Sequence, residues 1–96
     1  MADFVSDRLR HLAPARIEPV DTDVRALLDE LAGLARGAEG LAPRPLPAVL
    51  SRAYGDQVSV LTHDLLEACG ATGTGAADEP LGEAHSVLVA LRRLLP

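Results

Sequence analysis

Apolar residues recur at helical spacing along most of the chain. In 79–95, Leu81, Ala84, Leu88, Leu91 and Leu95 follow steps of three and four, and Val87 and Leu94 widen the stripe. That is the period of an amphipathic helix, not of a strand. Asp78, Glu79 and Pro80 make an acidic, proline-bearing first turn, and Arg92 and Arg93 suit the negative end of the helix dipole. Residues 22–36 repeat the pattern through Val24, Leu27, Leu28, Leu31, Leu34 and Ala35. Asp21 stands as N-cap before them, and Arg36 and Gly37 close the run. In 47–69, Leu50, Tyr54, Val58, Leu61, Leu65 and Ala68 keep phase across Gly55. A break would reset that phase, so the spacing predicts one long helix in which Gly55 is the point that can kink. A shorter stripe of Phe4, Val5, Leu9 and Leu12 predicts a helix over 3–12, capped by Asp3 and stopped by Pro14.

The segments between these runs read as linkers. Residues 13–20, "APARIEPV", hold two prolines, which predict an extended stretch. Residues 37–46 are rich in Gly and Pro, and 70–78 carry Gly70, Gly73 and Gly75. The expectation is a single all-α domain over 1–96. It is a small irregular bundle of three main helices plus a short N-terminal one, which a second copy can complete by dimerisation.

The glycine stretch "CGATGTGAADEP", 69–80, invites comparison with a phosphate-binding loop. Such a loop follows a buried strand and opens a helix. Here the preceding "THDLLEAC" is helical in pattern, the order is G-x-x-G-x-G, position 76 is Ala, and no Lys follows. Asp78 and Glu79 would repel a phosphate. The stretch reads as a joint between two helices, with Gly70 just past the end of the first.

Composition sharpens this picture. One Phe, one Tyr and no Trp among 96 residues leave a Leu- and Ala-rich chain, which favours helices over strands. The formal charge of −5 is local, because 56–80 holds Asp56, Asp64, Glu67, Asp78 and Glu79 and no Arg. An acidic surface of this kind argues against nucleic acid and against anionic membrane. One cysteine, Cys69, cannot pair within the chain and suits a reducing compartment. No run is apolar enough to span a membrane, so the expected location is the cytoplasm.

Three constellations along the chain could carry chemistry. "LSRAYGDQVSVL", 50–61, puts a glycine where a helix-turn-helix at 50–69 would turn, but the reading helix would offer Thr62, His63, Asp64 and Glu67 and no basic group. His63 and Glu67, four apart, could hold two positions of a divalent metal, with Asp56 and Asp64 flanking. Zinc needs three or four ligands, and no second cluster supplies them. Ser59, His63 and Asp64 include nucleophile, base and acid, but Asp64 lies about 100° around the helix from His63 and cannot orient it. His11 and His85 read as a helix end and a stripe edge, and the adjacent acids Asp29 and Glu30 as surface. No catalytic, cofactor or metal site is therefore expected.

Val60 and Leu66 fall off the main stripe of the long helix, and Val89 off that of the last. Together with His63 and Glu67 they form the expected partner-binding set. In size and helical layout the chain resembles the small secreted helical hairpins with a Trp-x-Gly signature. It has no Trp, and Val58 stands where that family's export motif sets an acid four residues after its tyrosine. No function is carried over from it. The expectation is a non-enzymatic protein-interaction module or accessory subunit, its partner a protein and possible partners including a second copy as a homodimer. The alternative is a small regulator with a degenerate helix-turn-helix.

Overall fold

The computed structural model describes residues 2–42, 44, 46–47, 49–72 and 78–96, with only the backbone described at 71, 72 and 78. Five α-helices follow one another: α1 (Ala2–His11), α2 (Pro14–Ile17), α3 (Asp21–Ala38), α4 (Tyr54–Thr72) and α5 (Asp78–Leu94). Two 3-10 turns, Glu18–Val20 and Ser51–Ala53, lead into α3 and α4. No strand occurs among the described residues. The fold is all-α, with three long helices and a shorter N-terminal one, as the apolar period requires.

The Cα trace spans 42 × 23 × 16 Å. A Cα thickness of 16 Å holds about two helix layers packed at about 8–10 Å, so every long helix keeps a face on solvent. α3 and α4 pack together at the centre, α1 lies on α4, and α5 lies on α3. Their shared core includes Val5 and Leu9 from α1, Ile17 from α2, Val24, Leu28, Leu31 and Ala35 from α3, Tyr54, Val58, Leu65 and Cys69 from α4, and Ala84, Val87, Leu88 and Leu91 from α5. Each large aliphatic side chain so buried contributes about 1.5–3 kcal/mol.

The linker 13–20 is not extended. Pro14 opens a one-turn helix, and Pro19 sits near the start of the 3-10 turn that follows. Their fixed φ suits a first helical turn, where the missing N–H has no partner to lose. Ala13, just before Pro14, does take extended angles (φ −63°, ψ 146°). The compact path drives Ile17 into the core. Phe4 also departs from expectation: it is 55 % exposed, while Val5, Ser6 and Leu9 fill the buried face of α1.

α3 begins at Asp21, not after it. Val20 occupies the N-cap without a capping side chain, and the Asp21 carboxylate is used elsewhere. The helix passes Gly37 and stops at Ala38. Gly40 takes the left-handed conformation (φ +77°). Its N–H donates to Gly37 O at 3.0 Å, and the Leu41 N–H donates to Arg36 O at 2.8 Å. This is the Schellman arrangement, closed by a glycine three residues beyond the expected one. The connector is then tied back along α3. Arg36 Nε donates to Ala42 O at 2.7 Å, and Asp29 Oδ1 accepts the Leu46 N–H at 3.1 Å. Asp29 is thus a connector anchor, where the sequence offered only a surface acid.

α4 starts at Tyr54, seven residues later than the expected 47. Leu50 is extended (φ −68°, ψ 148°) and 63 % exposed, so it does not belong to the buried face. Gly55 lies in the first turn of a continuous helix and breaks nothing. Its role is steric. A Cβ there would lie 2.5 Å from Ser6 O and 2.7 Å from Arg10 Cγ, so α1 can cross this closely only over glycine. The helix-turn-helix at 50–69 is therefore not formed, since no turn separates two helices there. Gly70 is likewise inside α4, which runs on to Thr72. Gly73 and Gly75, on which the rest of the joint reading relied, lie outside the described residues.

Candidate functional site

The two flanks of α4 differ in what they offer. On the flank facing α1, Ser6 is buried and its hydroxyl donates to Gly55 O at 2.7 Å. The same oxygen is 2.7 Å from Ser59 Oγ. Arg10 reaches across from α1 to Asp56 Oδ1 at 3.0 Å and to Ser59 Oγ at 3.2 Å. Two members of the polar set read from the sequence, Asp56 and Ser59, are thus committed to holding α1. With Ser59 bound to Ser6 and Arg10, it is not aligned with His63 for attack.

The remaining arc faces solvent. At about 100° per residue, Val60, His63 and Leu66 form a ridge of steps of three that winds about 120° around the helix, Leu66 lying about two turns beyond Ser59 on the same side, and Glu67 stands beside Val60 and His63. Val60 is 58 % and Leu66 54 % exposed. His63 and Glu67 are exposed, and Asp64 is half-buried at the edge. His63 Nδ1 is 3.6 Å from Glu67 Oε2 and 3.9 Å from Asp64 Oδ1, distances too long for hydrogen bonds. Contacts of this sort between exposed groups contribute little to stability. Among the described residues, no three His, Cys, Asp or Glu side chains come together as metal ligands. Four of the five expected partner-binding residues therefore share one surface. Val89 is half-buried on α5, which packs mainly on α3, and is not part of that ridge.

A second feature was not read from the sequence. Tyr54, fully buried, donates its hydroxyl to Asp21 Oδ1 at 2.5 Å and accepts from Arg25 Nε at 2.7 Å. Asp21 and Arg25 also pair with each other at 3.2 Å, one helical turn apart. Burial, then donation to Asp21, raises the Tyr54 hydroxyl above its ordinary pKa. The Arg25 guanidinium is raised as well, first by its hydrogen bond to Tyr54. These groups floor an open groove of about 490 Å³, rimmed by Pro14, Val49 and Leu50. Asp21, Arg25 and Tyr54 already satisfy one another, which suits a structural tie between α3 and α4. The Asp21–Arg25 spacing was visible in the sequence. Nothing there placed Tyr54 against it.

Compared with protein-family models, curated proteins and solved structures, the chain finds no match in any of the three.

Proposed function

We propose that the protein is a non-enzymatic protein-interaction module, an accessory subunit that docks a partner on the outer ridge of α4. One observation carries the reading: two large aliphatic side chains, Val60 and Leu66, stand more than half exposed on the central helix, while among the described residues the other long helices, α3 and α5, expose no large aliphatic to that degree. Isolated exposed aliphatics are common on any surface. Here they share a ridge, have exposed polar neighbours, and lie on the helix that every other long element touches or flanks. Binding at such a site buries an apolar centre inside a polar rim. The Ser59, His63 and Asp64 geometry gives an enzymatic reading no support, and the continuous α4 gives the helix-turn-helix alternative none.

The test is site-specific photo-cross-linking in native cells. A photoreactive residue at position 60 or 66 is expected to give discrete protein adducts, while the same residue at exposed Glu30 gives none. Equal labelling from all three positions, or none from any, would sink the reading.

A further inference from the structure

We infer that the outer face of α4 receives a second copy of this chain, which presents the basic, aromatic edge formed by Phe4, Arg92 and Arg93. The inference rests on the reading of α4 as a docking surface and adds the identity of the occupant. The face sets its own requirement. α4 contains no Lys or Arg, and its outer arc holds Asp64 and Glu67 beside Val60 and Leu66. Two arginines from other helices reach α4 and both are engaged, Arg10 by Asp56 and Ser59 and Arg25 by Tyr54 and Asp21. A fitting partner therefore supplies positive charge next to an apolar anchor.

The same molecule carries such a surface. Phe4 is 55 % exposed, and the Arg92 guanidinium carbon lies 5.1 Å from its ring centroid. Arg93, the next residue of α5, is exposed, and Leu94 and Leu95 are half-buried. Arg8 steadies this edge by donating from Nε to Pro96 O at 3.0 Å and from Nη2 to the same oxygen. Aromatic and arginine side chains together are the usual energetic centre of an interface.

Placement decides the symmetry. Arg10 leaves one flank of α1 for α4, whereas Phe4 and Arg8 leave the other for α5. The two surfaces thus lie on opposite flanks of α1, and one copy can use both at once. A two-fold dimer through α4 alone would bring together two faces that each carry Asp64 and Glu67 and no Lys or Arg, a like-charge arrangement. Acidic face on basic edge avoids this and gives a heterologous, head-to-tail contact that extends to rings or short chains.

The test uses the whole chain and two variants whose changes lie on the surface, V60S/L66S and F4S/R92S, each checked for unchanged helicity by circular dichroism. Multi-angle light scattering between about 10 µM and about 1 mM should show the wild-type mass rising at least about twofold above the monomer, and falling back as salt shortens the Debye length to about 3 Å near 1 M. Each variant alone should stay monomeric. Their equimolar mixture should form a pair of chains that grows no further, because only one competent face of each remains. A wild-type monomer throughout, an association that either variant leaves intact, or a mixture that stays monomeric would overturn head-to-tail docking. If cross-links from positions 60 and 66 to other proteins persist in those cases, the interaction reading stands without self-docking. If those cross-links are absent too, both fail.

Discussion

Leu65 and Leu66 are neighbours in sequence and opposites in the structure. Leu65 is 1 % exposed in the core, and Leu66 is 54 % exposed on the outer ridge. The same contrast divides the whole of α4. Toward α1 there is no room for one added carbon at Gly55. Toward solvent, Val60 and Leu66 have open space around them. One helix thus serves as the most tightly held seam of the bundle and as its least satisfied surface. The tight side fixes α4 in place, and the proposed docking on the other side draws on that fixed position.

The sharpest way to break this comparison is at the leucine pair. Leu65→Ala should cost about 2–5 kcal/mol by leaving a core cavity, whereas Leu66→Ala should stay within about 0.5 kcal/mol. Urea denaturation of the two variants measures both, and similar losses would mean that the faces are not distinct. Gly55→Ala comes next. The clash with the Ser6 carbonyl outweighs a gain in helix propensity of about 1 kcal/mol, so a net loss of about 1–2 kcal/mol is expected. Gly82→Ala is its control: a Cβ there meets nothing within 4 Å. That variant should gain up to about 1 kcal/mol. Opposite signs in thermal melts would show that Gly55 is kept for close approach and not for flexibility.

Tyr54→Phe should have a smaller effect, about 1 kcal/mol, because one hydroxyl with two partners is lost. It also has a pH signature. The folded-state pKa of Tyr54 is raised above its unfolded value, so the neutral phenol is favoured by folding. The resulting stability is fully present below the ordinary tyrosine pKa of about 10 and is lost as pH rises through the higher folded value. Wild type should therefore lose stability more steeply than Tyr54→Phe in urea midpoints taken from about pH 8 to above 10. The smallest stability effect is expected for Val60→Ser, within about 0.5 kcal/mol, with the loss appearing in association instead.

The three long helices and the short N-terminal one were legible in the sequence because they follow from local period, whereas the one-turn helix at Pro14–Ile17 was not. The stripes of α3, α4 and α5 appear as spacing, and their centres, Leu28, Leu31, Val58, Leu65, Leu88 and Leu91, are buried as the pattern requires. So was the outer position of Val60 and Leu66, since a residue off the stripe of a helix points away from what the stripe packs on. Ends were less legible. Pro14 and Pro19 open turns here instead of forbidding them, and Leu50 keeps helical phase while lying outside the helix.

What the chain order alone determined was therefore a set of amphipathic helices and the side of each that seeks burial, because both depend on neighbours within one or two turns. Only the tertiary structure decided why Gly55 is glycine, where the Tyr54 hydroxyl finds Asp21 and Arg25, and that Asp56 and Ser59 tie α4 to α1 through Arg10 and Ser6. Those outcomes join residues tens of positions apart. They depend on how closely two helices approach, a distance that no local period encodes.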